Sequence, residues 1–201
     1  MLRRLLQLYI GLVLYGVSTA LFVHANLGAD PWDVFHLGVA KQLGISFGTV
    51  IILTGAAVLL LWIPIRQMPG LGTVSNVIVL GLAADATLAV LPPLESLVAR
   101  SVLLVGAIVL NAIATGMYIG AGFGPGPRDG LMTGLHARTG WSLRGIRTAI
   151  ELTVLVIGWL LGGKFGVGTV IYALSIGPLI QLCLPWFRQP VSRKAVSTPQ
   201  E

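Results

Sequence analysis

Gly28-Ala29-Asp30-Pro31-Trp32-Asp33 recurs ninety-six residues later as Gly124-Pro125-Gly126-Pro127-Arg128-Asp129. The same offset, without a gap, pairs Gly38 with Gly134, Gly44 with Gly140 and Ser46 with Ser142. Further on it pairs Gly70-x-Gly72-Thr73-Val74 with Gly166-x-Gly168-Thr169-Val170, and Gly81 with Gly177. Matches of glycine, proline and aspartate carry weight, because any two apolar helices share leucine and valine by chance. A repeat of this kind decides the fold before any local reading does.

Around the repeat the composition is that of a membrane protein. Apolar residues make up 55% of the 201 and charged residues only 10%, against roughly 25% charged in soluble domains. So few charges cannot cover a soluble surface of this size. An ordinary cytoplasmic enzyme, a disordered chain and a nucleic-acid binder are excluded. The net charge of +6 comes from basic residues scattered between apolar runs, not from a basic patch. A single cysteine, Cys183, leaves no disulfide framework and no cysteine-rich metal site.

A bilayer core of about 30 Å takes around 20 helical residues to cross. Six stretches meet that length, approximately 5–25, 47–65, 71–92, 100–121, 145–163 and 167–187. Two more, about 31–43 and 127–139, read as helices of only about 20 Å. The first stretch, with Arg3 and Arg4 before it and Val23-His24-Ala25 after it, has the look of a secretion signal. Its apolar run is too long for one, and the repeat makes it a span. Each half then reads span, short helix, span, span. Three crossings is an odd number, so the two copies must face opposite ways. Charge agrees. With the N-terminus inside, ten of the thirteen basic residues fall on the cytoplasmic side, leaving Lys41, Arg100 and Lys164 outside. The positive-inside rule favours that orientation, with both termini cytoplasmic.

The matched motif supports two readings. Pro31 and Pro127 suit first helical positions, and Asp30 can cap its helix where Gly126 does so less well. Asp33 and Asp129 then satisfy free N–H groups of the first turn. In the other reading the two short helices dip into the bilayer. Gly28, Gly124 and their neighbours then form non-helical backbone lining a cavity, and Asp33, Asp129 and Arg128 line a solute or ion pathway. Both segments also fit helices lying in the interface, with Trp32, Phe35 and Leu37, or Leu131, Met132 and Leu135, toward the acyl chains. Within the spans, Asp85, Glu151 and Arg147 are further candidates for the solute or ion pathway. Asp85 has no partner within a turn of its own helix and needs one from another span, which makes it the better candidate. Glu151 has Arg147 four residues before it, a spacing that can instead neutralise both as a structural pair. Asn76, Asn111, Thr115, Tyr118 and Gln181 fit interhelical hydrogen bonds, and Gly116-x-x-x-Gly120 a close-packing face.

No Gly-Lys-Ser/Thr phosphate loop, HExxH or GxSxG occurs, so no catalytic residue, cofactor or metal is expected. Gly28–Val34, Gly70-Leu71-Gly72-Thr73 and Gly122-Phe123-Gly124-Pro125-Gly126-Pro127-Arg128-Asp129-Gly130-Leu131-Met132 resemble the YczE branch of the YczE/YyaS/YitT membrane proteins. The resemblance extends from the first span to about Gln181. It implies a small multi-span protein of the bacterial cytoplasmic membrane and carries over no catalytic or binding residue.

The expectation is an all-α polytopic membrane protein of six transmembrane helices in two inverted three-helix repeats. Residues 1–187 form one transmembrane domain, with repeats at about 5–92 and 101–187, and 188–201 a disordered cytoplasmic tail. The expected function is transport of a small solute or ion between the halves, in the inner membrane. The alternatives are a non-transporting scaffold that binds itself or a membrane partner through its glycine faces, and a substrate-binding subunit of a larger transporter.

Overall fold

The computed structural model describes residues 1–189. The remainder of the tail expected from residue 188 lies outside the described residues. Eight helices follow in order: α1 (Leu2–Ala25), α2 (Pro31–Leu43), α3 (Phe47–Ile65), α4 (Leu71–Val90), α5 (Leu97–Gly120), α6 (Pro127–Thr139), α7 (Leu143–Leu160) and α8 (Val167–Phe187). The described residues contain no strand.

Shifting α1–α4 by ninety-six residues lands each on α5–α8, with boundaries agreeing within a residue. The local causes are the matched residues. Pro31 and Pro127 open α2 and α6. Gly44 and Gly140 close them with left-handed backbone at φ 66° and 72°, a conformation glycine adopts without a β-carbon clash. The Ser46 and Ser142 hydroxyls accept the Thr49 and Gly145 N–H groups, both at 3.1 Å, and start α3 and α7. Gly28 and Gly124, at φ 109° and 114°, turn the chain into the two motifs.

The halves are joined by bonds that come in equivalent pairs. Arg4 donates from Nε to Ala121 O at 3.0 Å, and Arg100 to Ala25 O at 2.7 Å. Gln42 donates to Leu161 O at 2.9 Å, and Arg138 to Ile65 O at 3.3 Å. The Gly72 N–H donates to Phe123 O at 2.9 Å, and the Gly168 N–H to Leu27 O at 2.8 Å. In each pair, donor and acceptor of one bond stand ninety-six residues from those of the other. Arg4 and Arg100 each hold the last carbonyls of the other half's first helix, where a cation is favoured. The start of α1 therefore lies beside the end of α5 and the reverse, so these equivalent helices run antiparallel.

α1 packs against α5 at the centre, with α4 on α1 and α8 on α5; α2 packs on α7 and α6 on α3. Apolar burial gives little drive to helix association in lipid, so van der Waals contact and hydrogen bonds carry it. Asn111 donates to Ser18 at 2.9 Å and accepts from Tyr172 at 3.3 Å, tying α1, α5 and α8. Phe22 meets Tyr172 edge-on at 5.2 Å.

One interface breaks the equivalence. α3 lies directly on α4, and a β-carbon at Gly81 would sit 2.5 Å from the Gly48 carbonyl. The equivalents on α7 and α8 are Arg144 and Gly177, and Gly177 faces open space among the described residues. Among the described residues, α7 and α8 do not pack on one another as α3 and α4 do.

Five helices, α1, α3, α4, α5 and α8, are long and apolar enough to cross a membrane. α7, expected as the sixth span over 145–163, has the length but carries Arg144, Arg147 and Glu151 within its 18 residues. Large apolar side chains such as Val74, Ile78, Leu82, Val102, Val105 and Val109 face outward, a surface suited to acyl chains and unsuited to water.

Candidate functional site where two helix starts meet

Asp30 and Gly126 hold the same backbone conformation, φ −63° and −62° with ψ 160° in both. The aspartate caps its helix, Oδ1 accepting the Asp33 N–H at 2.7 Å. Gly126 has no side chain to cap with, and its place is taken by tertiary contacts. Trp62 of α3 donates its indole N–H to Pro127 O at 3.0 Å, and Thr73 of α4 donates to Pro125 O at 2.7 Å.

The first turns of α2 and α6 come together. The Arg128 guanidinium stands 3.5 Å from Asp30 Oδ2 and 3.9 Å from Asp33 Oδ1, and 4.8 Å over the Trp32 ring. These are ion-pair and stacking distances rather than short hydrogen bonds. Asp30 and Asp33 are 4% and 1% exposed. Buried carboxylates need a counter-charge, and Arg128 supplies one positive charge for both. Asp33 Oδ1 also lies 3.3 Å from His36 Nδ1. Trp32 and Arg128 are equivalent positions of the repeat, so the two halves meet at their own counterparts.

Asp129 is placed differently from Asp33. It accepts the Tyr118 hydroxyl at 2.9 Å, and no basic group lies within 4 Å of it among the described residues. It lines two cavities that share Tyr15, Trp32, Tyr118 and Arg128 as walls. The first, about 70 Å³, runs toward Ile51, Gly55, Asn76 and Leu80. The second, about 200 Å³, runs toward Arg147, Glu151, Tyr172 and Ile176. Those are equivalent sets of positions, so one cavity is the counterpart of the other. The first is the smaller, on the side where α3 closes on α4.

Of the residues singled out from sequence, Asp30, Pro31, Asp33, Gly126, Pro127, Arg128 and Asp129 come together here. Gly28 and Gly124 make the turns that lead to them. Arg147 and Glu151 lie at the edge of the second cavity, bonded at 2.9 Å, as their spacing predicts. Asp85 stands apart. It lines neither cavity, and its partners from another helix are Ser46 Oγ at 2.5 Å and the Gly48 N–H at 2.6 Å. It is a second cap on the start of α3 and ties that start to α4. The glycine face of α5 packs on α8, with Gly116 and Gly120 against Phe187.

The sequence reading missed Tyr15, Trp32 and His36 as members of the site. The signals were present: His36 follows Asp33 by one turn, and the repeat offset sets Trp32 opposite Arg128. Two buried polar atoms at the cavities, Trp32 Nε1 and Thr115 Oγ1, have no hydrogen-bond partner among the described residues, and neither has Asp33 Oδ2. Among the described residues, no group of three or more His, Cys, Asp or Glu side chains is arranged to hold a metal ion.

Comparison with known proteins gives a family and no further description of its activity. The chain is 37% identical to a Haemophilus influenzae protein named only as uncharacterized, over 88% of this chain and 81% of the relative. It is 31% identical to the Bacillus subtilis "uncharacterized membrane protein YczE", over 88% and 83%. It is 24% identical to Bacillus subtilis YyaS, over 88% and 90%. No solved structure matches. The family described as "Family of unknown function (DUF6198)" matches residues 2–185. With its apolar helices and these relatives, the chain is an integral membrane protein and belongs to that family, the YczE/YyaS group.

Proposed function

We propose that this protein carries a small solute or ion across the bacterial inner membrane, through a site between two inverted repeats. One observation carries the reading. Two short helices from equivalent positions meet start to start at buried Asp30 and Asp33 and half-buried Arg128, with a cavity on either side. Helix starts and non-helical backbone inside a bilayer are the usual makings of a secondary-transport site.

The six-span topology is part of this reading. α7 is the sixth span, its charges gathered in its first half and two of them paired. The antiparallel run of α1 and α5 and the paired bonds between halves support a two-fold axis in the membrane plane through the Trp32–Arg128 contact. α2 then enters from outside and α6 from the cytoplasm. The closed α3–α4 seam and the open α7–α8 gap support alternating access, with the second cavity facing the cytoplasm. No nucleotide motif is present in the sequence, so uphill transport requires an ion gradient or a partner that supplies ATP.

Cysteine accessibility in membrane vesicles tests it. In a Cys183→Ser background, Ile176→Cys should react with an impermeant maleimide from the cytoplasmic face. Its counterpart Leu80→Cys should react from the outer face in a fraction of molecules. A Leu80→Cys that never reacts from outside while Ile176→Cys does would leave a one-sided cleft, and the scaffold alternative in its place.

A further inference from the structure

The gap between α7 and α8 is an apolar groove of about 240 Å³, lined by Leu152, Leu155, Phe165, Val170 and Leu174. Pro31 and Glu151 line both this groove and the second cavity, so the two adjoin at these side chains. We propose that this adjoining pair binds an amphipathic organic cation, its charged group beside Asp129 and its apolar part between α7 and α8.

Charge decides the sign. Asp30, Asp129 and Glu151 line the second cavity against Arg128 and Arg147. Both guanidiniums already have carboxylates, Arg128 with Asp30 and Asp33 and Arg147 with Glu151. An anion would have to compete with these. Among the described residues, Asp129 has the Tyr118 hydroxyl as its hydrogen-bond partner and no paired cation. The start of α6 offsets about half a charge, which leaves the carboxylate in excess. Tyr15, Trp32, Tyr118 and Tyr172 stand around the same space, and aromatic rings favour organic ammonium or phosphonium groups. Thr115, 6% exposed, lines the cavity with its hydroxyl unpartnered among the described residues, a polar contact open to a ligand. An inorganic cation would make no use of the groove.

This inference takes from the transport reading only the place of the cavity within the bilayer, and a binding assay without flux separates the two. The probe is radiolabelled tetraphenylphosphonium, added to the purified chain in nanodiscs of uncharged lipid. Saturable binding is expected, weakened about tenfold or more by Asp129→Asn, whose amide still suits a helix start. Ala173→Trp, which fills the groove at an exposed position, should weaken it as well. Radiolabelled tetraphenylborate, of the same shape and opposite charge and assayed alone because it pairs with the phosphonium in solution, should show no saturable site. Saturable tetraphenylborate binding, no saturable tetraphenylphosphonium binding, or tetraphenylphosphonium binding unchanged in either variant would overturn the proposal. Retained binding in a chain that fails the two-sided accessibility test would refute transport and leave this site standing.

Discussion

The same substitution should be costly at Gly81 and nearly neutral at its equivalent, Gly177. A β-carbon at Gly81 would lie 2.5 Å from the Gly48 carbonyl oxygen and 2.7 Å from Ile52 Cγ1. Comfortable contacts begin near 3.5 Å, so α3 and α4 must part by about 1 Å. Overpacking of that kind costs about 1–3 kcal/mol. Parting also loosens the Asp85 bonds to Ser46 and Gly48, worth about 1 kcal/mol together at a half-exposed site. Helix propensity returns about 1 kcal/mol, leaving Gly81→Ala destabilising by about 2 kcal/mol. Gly177→Ala gains the same propensity and meets nothing within 4 Å among the described residues. The ring of Pro178 takes back part of that gain, so the variant stays within about 0.5 kcal/mol of the parent. The assay is thermal unfolding of both variants in one detergent. About 2 kcal/mol corresponds to about 4–8 °C in a chain of this length. Equal shifts in the two variants would refute the closed seam on one side and the open gap on the other.

Arg4→Gln and Arg100→Gln should each lower stability by about 1–2 kcal/mol, and by similar amounts, because both remove charged bonds to the last carbonyls of a facing helix; unfolding temperatures measure it. Arg128→Met leaves Asp30 and Asp33 buried without their guanidinium and should cost about 3–5 kcal/mol. Arg128→Lys should recover part of that loss, as read from the yield of monodisperse protein on gel filtration. Asp85→Asn keeps one acceptor for the Gly48 N–H and loses the bond from Ser46. It should lower stability by about 1 kcal/mol and leave tetraphenylphosphonium binding unchanged.

The two short helices were legible to the residue, 31–43 and 127–139, because proline opens each and a left-handed glycine closes each. The order of elements in each half followed from the same glycine and proline matches. Arg4 and Arg100 also stand ninety-six residues apart, yet a basic residue beside an apolar run reads as a topology marker, and its bond to the opposite helix end is invisible. The partner of Asp85 was hidden for a similar reason: Ser46 and Gly48 lie thirty-seven or more positions away. The meeting of Asp30 and Asp33 with Arg128 depends on how residues 26–30 and 121–126 fold back, which no local pattern specifies. The unequal packing of α3 on α4 and of α7 beside α8 was foreshadowed only by Gly48 having Arg144 as its counterpart.

The central claim is that the halves are inverted, so that α2 and α6 start together and end at opposite faces of the membrane. Labelling at the two ends tests it most directly. Gln42→Cys and Arg138→Cys, each in a Cys183→Ser background, are treated with an impermeant maleimide in right-side-out and inverted vesicles. The account predicts that residue 42 reacts from outside and residue 138 from the cytoplasmic side. Labelling of both from the same side would contradict it.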